Sequence, residues 1–350
     1  MALIHPRSLE RWQEWQTSRH RARQVKHAVA GALRRGDEPA RPALALHSRA
    51  GSGEGRILLG VDSASPTSRA SLLTALPYLS APVDVLAPAG VELPEIAGPE
   101  WERRLVEEPA PALTGRGITT ALTLGWHLRV GRAVHEWALA QDVAAAVVQH
   151  GALTPYAPPL PPRTTLLAWS DADAEFYRSG REDLEVRTVG SQLLWQAGRE
   201  ADGPLVVEVD RPVFLGQMHG AELPRYVTAG TAYAFCRREG ALYRPHPSEL
   251  DALSRAAHAV MRRRGIEFQD TSLPLGELRR PVVGVFSTGV LEAAVRGLPA
   301  YVEARRAPGW VHEFWDRYGL RRWGGEPTPA PTGPADEPSR VIAQLLEGQA

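Results

Sequence analysis

Val282-Val283-Gly284-Val285-Phe286-Ser287-Thr288-Gly289-Val290-Leu291-Glu292-Ala293-Ala294 is the stretch on which the fold turns. A short apolar run meets a Ser-Thr-Gly turn and passes at once into residues suited to a helix as far as Arg296. Gly297-Leu298-Pro299 then returns the chain to a further strand, Pro299-Ala300-Tyr301-Val302. Short apolar strands that alternate with helices belong to a parallel sheet covered on both faces. Working back from this unit, the same alternation predicts strands at Val213-Phe214-Leu215-Gly216, Leu242-Tyr243-Arg244 and Ile266-Glu267-Phe268, with helices over 222–238 and 248–264 between them.

A second series precedes it. Strands are expected at Ile57-Leu58-Leu59-Gly60-Val61-Asp62, Val83-Asp84-Val85-Leu86, Ala144-Ala145-Ala146-Val147-Val148, Thr165-Leu166-Leu167-Ala168-Trp169 and Glu185-Val186-Arg187-Thr188-Val189. Helices are expected over 67–79, over 119–141 and from Asp171 onward. The stretch 197–211 holds Gly198, Gly203, Pro204 and several charges, and reads as the boundary. The fold class is therefore α/β, with two Rossmann-like parallel-sheet domains facing across a cleft, 56–200 and 201–322. Residues 1–55 read as an N-terminal amphipathic helix and a linker, and 323–350 as a flexible tail with a closing helix from Ser339.

At 350 residues the chain exceeds the size at which one core stops growing, and 43% apolar residues suffice for two. Forty basic and forty acidic side chains leave no global field to attract nucleic acid. One cysteine, Cys236, excludes an internal disulfide framework and a multi-cysteine zinc site. No apolar run approaches a membrane span, and the first residues lack the order of a secretory signal, so the expected location is cytoplasmic. The helix expected over 8–35 puts Leu9, Trp12 and Trp15 on one face, followed by Arg19-His20-Arg21-Ala22-Arg23 and Lys26. Such a helix either docks onto the body through its tryptophans or makes peripheral contact with an anionic inner membrane face.

In open parallel sheets ligands bind beyond the carboxyl ends of the strands. Four turns stand there: Gln149-His150-Gly151, Gly216-Gln217-Met218-His219-Gly220, Arg244-Pro245-His246-Pro247 and Ser287-Thr288-Gly289. In the third, two prolines fix the backbone around His246, and Arg244 can fork onto a phosphate. Ser248 and Asp251 have capping-box spacing and would start a helix just after His246. In the fourth, Ser287 and Thr288 open a helix whose free amides suit an anion, Gly289 lets a ligand approach the backbone, and Glu292 can accept from ribose hydroxyls. Each of these turns can also be an ordinary loop. His150, before Gly151 and a Pro-rich loop, is the candidate catalytic group, as base toward an acceptor hydroxyl or as a ligand for phosphate. Gln217 and His219 stand in the turn after the first strand of the second series, where they can close on a ligand.

The pairing of Leu242-Tyr243-Arg244-Pro245-His246-Pro247 with Phe286-Ser287-Thr288-Gly289-Val290-Leu291-Glu292-Ala293-Ala294 and Gly297-Leu298-Pro299 resembles the second domain of GT-B-fold transferases that use CMP- or CDP-activated donors. That group includes polysialyl- and sialyltransferases, capsular Kdo transferases and CDP-glycerol glycerophosphotransferases of teichoic acid synthesis. The resemblance covers residues 213–302, and the first domain only through its element order and Gln149-His150-Gly151. Gln149 stands where the teichoic enzymes have Trp, and Thr288 follows Ser287 where they have a second serine. The resemblance implies a metal-independent transferase with no cofactor, in which Arg244, His246, Ser287 and Thr288 hold the nucleotide. Its partners would be a nucleotide-activated donor and a polymer or glycolipid acceptor, in cell-envelope or capsular polymer synthesis. A nucleotide-sugar 2-epimerase of the same fold and a catalytically inactive nucleotide-binding scaffold are the alternatives.

Asp171-Ala172-Asp173 has the spacing of a metal-binding pair, but directly after a strand it reads as the capped start of a helix. His127, His135 and His258 fall on expected helices and read as surface or packing residues.

Overall fold

The computed structural model describes residues 2–19, 43–199, 207, 211–218 and 220–348. It separates into two compact units. The larger comprises Ala2–Gly151, Tyr156–Leu193 and Pro334–Ala350, and the smaller comprises Ala152–Pro155 and Leu194–Gly333. Both are α/β, each built on its own sheet.

In chain order the first part consists of α1 (Leu9–Arg19), β1 (Leu44–Arg49), β2 (Arg56–Gly60), α2 (Pro66–Leu72), β3 (Val83–Pro88), β4 (Trp101–Val106), α3 (Pro109–Leu113), β5 (Ile118–Thr123), α4 (Arg129–Gln141), β6 (Ala144–Val148), β7 (Thr165–Ala168), α5 (Asp171–Arg178), β8 (Glu185–Thr188) and α6 (Gln192–Arg199). The larger unit's sheet runs β4-β1-β3-β2-β5-β6-β7-β8. β1 is antiparallel to β3 and β4, while the pairings from β3 through β8 are parallel. Successive side chains of a strand point to opposite faces. Ile57 and Leu59 therefore join Val83, Val85 and Leu122 in one core, while Leu58 joins Leu44, Leu46 and Leu86 beneath Val130, Val134 and Trp137 of α4.

Two sequence expectations fail here. Residues 44–49, read as linker, form β1 in the sheet, because Leu44 and Leu46 alternate onto a buried face that the surrounding Pro, Gly and Arg conceal in the sequence. The single helix over 119–141 is in fact strand β5, a turn, and then α4. Thr119, Thr120 and Thr123 favour the strand, and Gly125 at φ 125° cannot continue a helix.

The crossover from β6 to β7, residues 149–164, has no helix of its own, and α1 lies against it. Trp12 donates through Nε1 to the Tyr156 carbonyl at 2.7 Å, and Trp15 stacks on the Tyr156 ring at 4.7 Å. The apolar face of the described part of this helix is thus packed on the larger unit. The basic run His20, Arg21, Arg23 and Lys26 lies outside the described residues, as does most of the stretch read as the domain boundary.

The smaller unit contains β9 (Val213–Leu215), α7 (Arg225–Glu239), β10 (Leu242–Arg244), α8 (Ala252–Arg263), β11 (Val282–Gly284), α9 (Thr288–Val295), β12 (Ala300–Val302) and α10 (Gly309–Arg317). Its strands are all parallel, in the order β10-β9-β11-β12. Single parallel bridges add Phe268 outside β10 and Arg322 outside β12. Numbered along the chain, the four strands and the two bridged positions lie in the order 3-2-1-4-5-6, a Rossmann-like arrangement. The stretch after Arg322, expected to be flexible, is pinned at Thr328, which is buried and donates its N–H to the Ala300 carbonyl at 2.8 Å.

The last helix, α11 (Pro338–Leu346), belongs to the larger unit, where Ile342, Ala343 and Leu346 enter the core. Gln192 accepts the Ser339 N–H at 3.0 Å, and the Glu347 carboxylate accepts the Ser80 and Ala81 N–H groups at 2.7 and 2.9 Å. No helix among the described residues is long and apolar enough to cross a membrane.

Candidate functional site

In the smaller unit the chain runs from β9 outward to β10 and the Phe268 bridge and then crosses to β11 on the other side of β9, which opens a crevice between the carboxyl ends of β9 and β11. Gly216-Gln217-Met218 follows β9, and Val285-Phe286-Ser287 follows β11. Gln217 spans the two. Its Oε1 accepts the N–H groups of Val285 and Phe286 at 3.0 Å each, which fixes the orientation of the amide and turns its NH2 end away from the strand.

Ser287 is the N-cap of α9, with extended backbone and its Oγ accepting the Gly289 N–H at 3.1 Å. The Thr288 hydroxyl accepts the Ala152 N–H at 3.1 Å. Gly289 has a different reason for being glycine than ligand approach: a Cβ there would lie 2.9 Å from Leu215 and 3.1 Å from Leu275. It brings α9 down onto β9. Glu292, one turn on, lies 3.8 Å from the Arg296 guanidinium and within electrostatic range of Arg244.

The sequence assigned Arg244 to a phosphate, but the fold directs it elsewhere. Both terminal nitrogens donate to backbone carbonyls, Nη1 to Asp270 at 2.9 Å and Nη2 to Leu273 at 2.7 Å, so the fork holds the 270–273 loop. His246 is exposed at the end of β10, two strand spacings or about 10 Å from β11. Its Nδ1 accepts the Ser248 N–H at 3.1 Å, which puts the proton of the neutral ring on Nε2. Burial lowers its pKa against the opposing pull of Glu249. The expected helix start at Ser248 moves to Asp251, whose carboxylate caps the Leu253 and Ser254 amides and receives the Arg225 fork. Gln217, Ser287, Thr288 and Gly289 thus gather at the crevice, and His246 stands at its flank. His219 lies outside the described residues.

Beneath these turns is a buried network that the sequence reading missed. The Glu249 carboxylate, 3% exposed, accepts from the Tyr243 hydroxyl at 2.8 Å and the Met218 N–H at 2.8 Å, and pairs with His258 Nε2 at 2.9 Å. A Cβ on Gly216 would lie 2.4 Å from the Tyr243 hydroxyl. Glycine here and glutamate at 249 are two sides of one arrangement that sets the path of the chain after β9.

The larger unit has its own reversal, between β2 and β5. Its helix terminus is already filled: Asp62, just past β2, accepts the Val130 and Gly131 N–H groups at the start of α4, at 2.7 and 3.0 Å. Desolvation raises the Asp62 pKa, while these two amides oppose the rise. After β5 comes Gly125-Trp126-His127, and after the neighbouring β6 comes Gln149-His150-Gly151. His127 is a strand-end residue rather than a helical one, with Nδ1 buried and unpartnered and the Trp12 ring edge-on at 5.6 Å. Its signal in the sequence was Gly125, which breaks any helix just before it.

Burial pushes the imidazole of His150 down to about 4, and that of His127 to about 4 with a contribution from repulsion by His150. Both are neutral at pH 7. The Gln149 side chain fixes the turn that carries His150, donating to the Gly151 carbonyl and the buried Asp173 carboxylate at 3.0 Å each and accepting the Trp169 N–H at 2.9 Å. Asp171 instead accepts from the Thr188 hydroxyl at 2.5 Å. The two aspartates of the metal-like spacing thus serve separate partners.

A cavity of about 570 Å3 in the larger unit is lined by Arg7, Trp126, Leu160 and the 180–183 turn, and none of the residues selected from the sequence lines it. Arg181 there is spent on Asp183 and the Leu160 and Pro161 carbonyls.

No protein-family model matches the chain, and no curated protein matches its sequence.

Proposed function

We propose that the chain is a GT-B-like transferase that moves a sugar, or a glycerol or ribitol phosphate, from a CMP- or CDP-activated donor to a hydroxyl of a polymer or glycolipid acceptor. One observation carries this reading: the β10-β9-β11-β12 order of the smaller sheet, extended by single bridges at Phe268 and Arg322, has its reversal at Gln217, Ser287 and Thr288, the place where such sheets take ligands. The N-terminal end of α9, where the helix dipole is positive, and the outward NH2 of Gln217 suit the phosphate, with His246 at the flank. Arg244 has no direct part, because its fork is occupied.

His150 is the base in this reading. Burial keeps the ring neutral at pH 7, the form that can take a proton, and works against the imidazolium that results. The acceptor hydroxyl gives its proton to the ring as its oxygen bonds to the transferred group. The bond from that group to the donor phosphate breaks, and the nucleotide leaves with the electron pair, its charge met by the donors at the α9 terminus.

The test is a thermal-shift series with CMP, CDP, UDP, GDP and ADP. A ligand at about a hundredfold excess over its Kd stabilises by about 2.7 kcal/mol. CMP or CDP should raise the midpoint by several degrees in the wild type and by less in His246→Ala, whose exposed site leaves folding intact. No shift with any cytidine nucleotide, or an equal shift with the purine nucleotides, would overturn the reading.

A further inference from the structure

We propose that the outer face of α8 in the smaller unit, with the residue before it, seats on an anionic membrane surface. The helix buries Ser254, His258 and Met261 on one side. At 3.6 residues per turn Leu253, Ala256 and Val260 fall together on the other. Leu253 is 62% exposed and Val260 50%, and Leu250, just before the helix, is 73% exposed. Tyr226, 76% exposed, stands at the start of α7, which the Arg225 fork onto Asp251 sets beside the start of α8. Leu253 and Val260, two turns apart on one face, with Leu250 just before the helix, give this surface its exposed aliphatic component.

The charge around them names the cover. Arg263 and Arg264 are exposed on either side of Val260, and Arg237 donates to the Arg264 carbonyl at 2.7 Å, which brings a third cation to the same end. The acids of the two helix regions are occupied: Asp251 by Arg225, Glu239 by Arg238 at 2.5 Å, and Glu249 within the buried network. A chain with forty charges of each sign thus carries a local cationic surplus where its exposed aliphatic residues lie. A bilayer with acidic headgroups meets both features at once, since the leucines enter the acyl boundary and the arginines stay among the phosphates. A two-fold contact with a second copy would set arginine against arginine, and nucleic acid would leave the leucines uncovered. This inference does not rest on the transferase reading.

The experiment is flotation of the full chain with neutral phosphatidylcholine vesicles and with vesicles containing about 30% phosphatidylglycerol, whose negative surface potential attracts arginine. Binding should be at least about tenfold greater on the acidic vesicles and fall with added salt. Leu253→Glu with Val260→Glu should lower it about tenfold with an unchanged circular dichroism spectrum. Arg263→Gln with Arg264→Gln, which leaves the aliphatic face intact, should remove most of the preference for acidic lipid and serves if the first variant fails to fold. Undiminished binding by both variants places the membrane contact elsewhere and overturns the proposal. So does equal binding to neutral vesicles, retention on RNA in place of lipid, or a concentration-dependent dimer lost in the Leu253→Glu variant.

Discussion

His135 shows how a single buried ring sets a property of the protein. It is 1% exposed, with Nε2 2.7 Å from the Thr123 hydroxyl, and burial pushes its pKa down to about 4. In the unfolded chain the same ring takes up a proton near its ordinary value of about 6.5. Between those two values the unfolded state binds more protons, so stability falls as pH drops from 6.5 toward 4, and this group costs nothing further below 4. His127 and His150 are shifted in the same direction. Urea unfolding at pH 7 and pH 5 should therefore show a loss in the wild type of which His135→Gln recovers about 1–2 kcal/mol. Equal losses in the two proteins would contradict the assignment. At this scale the sequence was only partly legible. The capped helix start before Asp171 could be read, because capping is local and its signal lies within three residues. The role of Gly289 could not, because Leu215 and Leu275, which demand a glycine there, approach from distant segments. Arg244 was misread for the same reason: its carbonyl partners lie 26 and 29 residues away.

Elements were legible where a run is uniformly apolar and bounded by turn residues, as at Ile57 to Gly60 or Val282 to Gly284. They were hidden where neighbours mask the pattern. β1 sits among Pro, Gly and Arg, and β5 was absorbed into the helix that follows it until Gly125 is given its true weight. His127 was lost with β5, and with it the second histidine at the carboxyl end of the larger sheet. The closing helix was seen, but its place was not. α11 inserts Ile342 and Leu346 into the larger unit's core, and burying such a side chain is worth about 1.5–3 kcal/mol. Ile342→Asp should therefore lower the stability of the larger unit by at least about 3 kcal/mol, since it also buries a charge. Chemical denaturation measures this, and a change under about 0.5 kcal/mol, typical of an exposed position, would show that α11 does not pack as described.

At the scale of the whole molecule, length and composition gave two cores and ruled out a global field, and the structure answers with two sheets and a local cationic face on α8. What the sequence alone could not supply is the order of the strands, which depends on pairings across the chain. The order decides which strand ends adjoin the reversal, and so separates Gln217, Ser287 and Thr288 from Arg244 although all four end strands or open helices. The central claim, that a cytidine nucleotide sits at the reversal of the smaller sheet, is tested most directly by hydrogen exchange of the backbone amides with and without saturating CMP. The account predicts slower exchange confined chiefly to residues 216–218 and 287–291, with the strands of the larger sheet unchanged. Protection centred on the larger sheet, or none at those two turns with CMP bound, would contradict it.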